Sequence, residues 1–148
     1  MTARSRSRSA ARLAAVQALY QREMEGTALP KLLHEFHQHR LGATVGDTEY
    51  HDAEVAFFDD VVTGVETRSV EIDAAITARL AKGWTLARLD RPMRAILRAG
   101  TYELLARRDV PAKAAINEYV DVADAFYAKA EKGFVNGLLD AVAKDLRG

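Results

Sequence analysis

Asp90-Arg91-Pro92-Met93-Arg94-Ala95-Ile96-Leu97-Arg98-Ala99-Gly100-Thr101-Tyr102-Glu103-Leu104 carries a whole helix in its residue order. An acid stands at the N-cap, where its carboxylate can accept from unpaired main-chain N–H groups. A proline follows in the first turn, where its missing N–H costs nothing. Met93, Ile96, Leu97, Gly100 and Leu104 then return every three or four residues, so they share one inward face. Arg91, Arg94 and Arg98 line the neighbouring face. Such a row is also what an ordinary solvated helix surface looks like.

The same period extends in both directions. Upstream, Ile72, Ile76 and Leu80 mark a fourth helix from about Val70 to Lys82, with Gly83 as its stop and 84–89 as a short connector. A third covers about Asp52 to Ser69, with Val55, Phe58 (or Phe57), Val61, Val62 and Val65 inward. Its β-branched residues lower helix propensity, so packing must hold it. A second runs from about Pro30 to Arg40 on Leu32, Leu33, Phe36 and Leu41. The first begins near Ser9, buries Leu13, Val16, Leu19 or Tyr20, and Met24, and ends at Gly26. Residues 41–51 read as a loop. Downstream, Asp109-Val110-Pro111 starts a sixth helix as Asp90-Arg91-Pro92 starts the fifth, with Ile116, Val120, Ala123 and Tyr127 following. After a break near 128–132, Val135, Leu138, Leu139, Val142 and Leu146 define the last, with Phe134 at the edge of its apolar face. The sequence predicts an all-α chain of about seven helices, with no alternating strand pattern and no hairpin-turn dipeptide.

The 148 residues suit one domain, and 49% apolar with 28% charged residues is a globular profile. Without cysteine there is neither a disulfide nor a thiolate metal site, which fits a reducing, cytoplasmic setting. The formal net charge of zero excludes a wholly basic nucleic-acid binder, but not a local patch. One patch stands out: Arg4-Ser5-Arg6-Ser7-Arg8-Ser9-Ala10-Ala11-Arg12, with no acid before Glu23. Arg8 and Arg12 are four apart and share a helix face. Composition alone leaves three readings: a nucleic-acid-binding surface, a transit peptide or an idle basic tail.

Signs of catalysis are missing. No glycine-rich phosphate loop or nucleophile elbow occurs, and no cysteine can act as nucleophile. His34, His37 and His39 lack the i, i+4 spacing of metal ligands and read as surface or groove histidines. Neither an enzyme, a metal nor a cofactor is expected.

Two segments go further than composition. Residues 12–21, Arg-Leu-Ala-Ala-Val-Gln-Ala-Leu-Tyr-Gln, resemble the opening helix of the NusB family of transcription antitermination factors. So does the block Leu89 to Arg98 with Tyr102-Glu103-Leu104, Asp109-Val110-Pro111-Ala112-Lys113, Ala115-Ile116-Asn117-Glu118, and Phe134-Val135-Asn136-Gly137-Leu138-Leu139-Asp140. The middle, roughly 24–82, matches only in helical pattern. The resemblance implies one NusB-like domain over 1–148: a helical subdomain at about 9–82, another at about 84–148, and a flexible basic tail at 1–8. It implies a partner, the small-subunit ribosomal protein NusE. With it the chain would bind boxA-type nascent RNA and help RNA polymerase read through terminators, notably in ribosomal RNA transcription. The family's arginine-rich motif falls on Arg6, Arg8 and Arg12, with Arg4 adding charge. The aromatic that follows is Tyr20, and Arg98 lies on the arginine face of the second block. The partner-binding aromatic falls on Phe134, with Glu131 and Lys132 just before it.

This sequence departs from the family where serine or alanine alternates with the arginines, which lowers charge density. It departs again at Ala130-Glu131-Lys132-Gly133, where the family has an acidic or polar run. Four phosphate contacts would give a slope of log K against log salt of about −3. The competing class is a helical protein–protein adaptor with a nonspecific basic tail.

Overall fold

The computed structural model describes residues 3–39, 44–45, 48–49 and 52–148, with side chains described for 7–38 and 55–148. Seven α-helices account for most of these: α1 (Ala3–Glu25), α2 (Leu29–His39), α3 (Asp52–Thr67), α4 (Ser69–Thr77), α5 (Arg91–Ala106), α6 (Ala112–Asp124) and α7 (Lys129–Arg147). The all-α expectation is met.

α1 starts earlier than expected, at Ala3 instead of near Ser9. Residues 3–8 are therefore helical, not an extended tail. Nothing between Ala3 and Ser9 breaks a helix: there is no glycine or proline, and alanine and arginine are strong helix formers. Once later turns are held by packing, extending the helix upstream needs no new nucleus. At its other end Gly26 takes a left-handed φ of 68° and its N–H returns to the Arg22 carbonyl at 2.8 Å, which ends the helix as read.

The face that α1 buries also differs from expectation. Ala11, Ala14, Ala15, Val16 and Ala18 are buried, while Leu13 and Leu19 are only half-buried and Met24 is exposed. Alanines carry little periodicity signal, yet they let two backbones approach closely.

Three other boundaries moved. The expected loop at 41–51 contains a short antiparallel pair, β1 (Thr44–Val45) with β2 (Thr48–Glu49), in register Thr44 to Glu49 and Val45 to Thr48. Two residues per strand are too few to show alternation in a sequence, and the fold class is unchanged. α4 stops at Thr77, short of Gly83, and hydrogen-bonded turns carry the chain on, with Arg79 N–H to Ile76 and Leu80 N–H to Thr77. α6 starts at Ala112 behind Pro111, with no side-chain cap. Asp109 pairs with Arg107 at 3.1 Å instead of capping, because it lies too far ahead of the first turn. By contrast Asp90 caps α5 as read, accepting from Met93 N–H at 3.1 Å. The connector at 84–89 holds a 3-10 turn, Leu86–Arg88.

The chain divides into compact units at 1–63 and 64–148, so the division falls inside α3 and not at Gly83. The reason is that α4 buries Ile72 and Ile76 and packs against α5 and α7. A glycine marks a turn in the chain, but only packing marks a boundary between cores. In the first unit, Leu32 and Phe36 of α2 and Phe58 of α3 are buried, and the Phe58 ring stacks on Phe36 at 5.3 Å. Gln21 of α1 reaches Glu35 of α2 at 3.2 Å. In the second, Ile96, Leu97, Leu104, Tyr119 and Leu139 are fully buried. The Tyr119 hydroxyl there donates to the buried Glu103 carboxylate.

Candidate nucleic-acid and protein interfaces

The cationic face of α1 is built on an aromatic ring. The Arg8 and Arg12 guanidinium carbons lie 4.8 and 4.9 Å from the centroid of Phe57. Cations over an aromatic face are attracted by its quadrupole. Arg12 is only 4% exposed, whereas Arg8 is half-buried. The structure thus separates two arginines that the sequence placed together: one is buried and one half-buried. Tyr20, further along the helix, is half-buried. The side chains of Arg4 and Arg6 lie outside the described residues.

Arg98 belongs to the second unit and is engaged within it. Its Nε and Nη2 donate to the two carboxylate oxygens of Asp73 at 2.9 and 3.2 Å. This fork-to-fork geometry is the strong form of an arginine–carboxylate pair. Arg94, on the same face, donates to the main-chain carbonyls of Leu86, Ala87 and Leu89 and clasps the connector. The arginine row of α5 is therefore partly a set of internal ties. One acid 25 positions away and the carbonyls of the connector decide this, and helical spacing cannot show them.

Phe134 stands at the start of α7 and is 39% exposed, as an interface aromatic requires and a core residue would not be. It lines a groove of about 640 Å³ with Leu80, Trp84, Met93, Tyr127 and Glu131. Trp84 is 49% exposed, and Arg88 lies over its ring at 5.1 Å. The Tyr127 hydroxyl donates to Asp90. Burial, and then this bond, push the hydroxyl well above the usual tyrosine range, so it stays a donor. Glu131 Oε2 is shielded from solvent and has no hydrogen-bond partner among the described residues. Lys132 instead pairs with Asp124 at 2.8 Å, pinning the α6–α7 turn.

His37 Nε2 meets Asp59 Oδ1 at 2.6 Å, and its ring meets the edge of Phe58, so this histidine ties α2 to α3. His34 is exposed, and His39 lies outside the described side chains.

Sequence reasoning missed Phe57 and the Trp84–Tyr127 half of the groove. The signals were slight: two consecutive phenylalanines on one helix, and a lone tryptophan in a connector.

The chain matches the NusB family over residues 9–144. It is 68% identical over 147 residues to the transcription antitermination protein NusB of Sphingopyxis alaskensis, covering 99% of each chain. Its fold is similar to that of T. maritima NusB, with a TM-score of 0.80 at 30% identity over 95% of this chain and 93% of that one. At 23% identity it also shares the fold of a chain in a crystal of the antitermination factors NusB and NusE with double-stranded RNA. The TM-score there is 0.80, over 95% of this chain and 98% of the other. Family and fold agree along nearly the whole length, and this chain belongs to the NusB family.

Proposed function

We propose that this chain is a cytoplasmic transcription antitermination factor that, with the ribosomal protein NusE, binds boxA-type nascent RNA and promotes read-through by RNA polymerase, including ribosomal RNA transcription. The observation that carries this is 68% identity, over 99% of the chain, to a transcription antitermination protein NusB. Family membership makes it a transcription regulator, not an enzyme. Among the described residues no helix is long and apolar enough to cross a membrane.

The geometry supports a division of labour. α1 offers Arg8 to phosphates and Tyr20 to an unpaired base, and the sequence adds the charges of Arg4 and Arg6. The groove around Phe134 receives the ribosomal protein. The burial of Arg12 lowers the expected count of phosphate contacts. Three arginines on single-stranded RNA give a salt slope of about −2, shallower than the −3 that four would give. Arg98 contributes through its tie to Asp73.

The test is a fluorescence-anisotropy titration of boxA-type RNA against a scrambled control, with and without NusE, over a series of salt concentrations. The factor prefers boxA, binds more tightly with NusE, and loses affinity with salt at the slope above. Equal binding to both RNAs, or none, alongside intact NusE binding would identify the adaptor class instead.

A further inference from the structure

Phe57 and Phe58 are consecutive on α3, so their side chains leave the helix about 100° apart. Phe58 turns to α2 and stacks on Phe36. Phe57 turns to α1, where two guanidinium groups from successive turns share its ring. Like charges at i and i+4 repel. A ring whose faces are electron-rich attracts both and offsets that repulsion. The ring is 2% exposed and Arg12 4%, so this part of the cluster is closed to a ligand, while Arg8 is half-buried at its edge. An arginine free in solvent samples many rotamers, and a ligand that fixes one sacrifices that freedom from its affinity. An arginine already held has less to lose.

We infer that Phe57 is a positioning residue of the RNA face. Its ring holds Arg8 ready for phosphate, and Arg12 acts as a buried strut in the same cluster, not as a phosphate contact. The inference rests on the RNA reading above and adds to it a residue that touches no RNA.

The experiment uses the full chain with NusE and boxA-type RNA. Phe57→Leu removes the ring face but keeps an apolar side chain. It weakens RNA binding by roughly tenfold, the cost of ordering one or two arginine side chains. The salt slope does not change, because the cations are still present. Phe57→Tyr keeps the ring and stays within about twofold of the unaltered chain. A purely structural phenylalanine would lower the melting temperature while leaving the affinity of the folded protein unchanged.

A second measurement needs no variant. Nitrogen relaxation of the Arg8 Nε–H in the RNA-free protein gives an order parameter above about 0.6, the lower edge of restrained groups. A lower value overturns the inference even if Phe57→Leu does not fold. RNA binding untouched in Phe57→Leu sinks this inference alone. Absence of RNA binding by the unaltered chain sinks the RNA reading, and this inference with it.

Discussion

Arg147, in the last turn of α7, allows a magnitude to be worked from geometry. Its Nε donates to the Leu104 carbonyl at 2.9 Å and its Nη1 to Val110 at 2.7 Å. Its Nη2 donates to Glu103 at 3.1 Å and Arg107 at 3.0 Å. Glu103 and Leu104 lie in the last turn of α5, where helix carbonyls run out of main-chain partners; the Glu103 carbonyl also accepts from Arg107 N–H at 2.9 Å. One guanidinium therefore caps α5 and fastens it to α7, with its positive charge at the negative end of the α5 dipole. Partial burial and the nearby Arg108 lower its pKa, but an arginine keeps its charge at neutral pH.

Charged hydrogen bonds contribute about 1.5–3 kcal/mol each where buried. This site is half-exposed, the bonds share one side chain, and water replaces part of the loss when it is removed. Arg147→Ala should therefore cost about 2–3 kcal/mol rather than the sum of its bonds. In a chain of this size that lowers the melting temperature by roughly 6–10 °C. Arg147→Lys, whose three donors radiate from one point, should recover about half. Urea titration followed by the fluorescence of the single tryptophan, Trp84, reads the unit that contains both helices. A change below about 0.5 kcal/mol in Arg147→Ala, the range of an ordinary surface substitution, would refute the clasp.

Phe134→Asp should abolish NusE binding with the helical signal and melting near those of the unaltered chain, since the side chain is exposed; calorimetric titration checks the first, and global unfolding would return Phe134 to the core. Tyr119→Phe removes a buried donor from Glu103 and should cost about 1–3 kcal/mol in a urea titration; a neutral result would mean the pair is not desolvated. Gly64→Ala adds a Cβ that would lie 2.2 Å from the Tyr102 ring, so steric strain of about 1–3 kcal/mol should exceed the roughly 1 kcal/mol of helix propensity gained. A raised melting temperature in that variant would show that the ring moves aside freely. Arg79, hydrogen-bonded to Asp145, holds that carboxyl below the usual carboxylate range. A carboxyl depressed in the folded state stabilises above its unfolded pKa of about 4 and loses that contribution as pH falls through its folded value. The urea midpoint of Asp145→Asn should therefore fall less than that of the unaltered chain in strong acid, and parallel curves would exclude a role for the pair.

Much of this chain was legible because helices announce themselves locally. Asp90, Pro92 and the apolar positions of α5 lie within one short stretch, and each acts on its nearest turns. Residues Arg12 to Gln21 and Phe134 to Asp140 carried the family for a similar reason: order and spacing are properties of the chain itself. The start of α1 was misjudged because capping rules reward a serine, whereas an uninterrupted run of arginine, serine and alanine can stay helical without one. The compact units divide at 63 and 64, away from the expected Gly83, because the turn at Gly83 is local while the attachment of α4 to α5 and α7 is not.

What the sequence determined by itself was the class of fold, which follows from periodicity, and the family, which follows from the order and spacing of its motifs. The tertiary structure decided which cations are available. Asp73 lies 25 positions from Arg98 and ties it down. Phe57 lies against both Arg8 and Arg12, of which Arg12 is buried and Arg8 half-buried. A charged side chain is read in sequence by its type, but its use depends on the ring or carboxylate that folding brings within about 5 Å, and that distance is fixed by packing between helices.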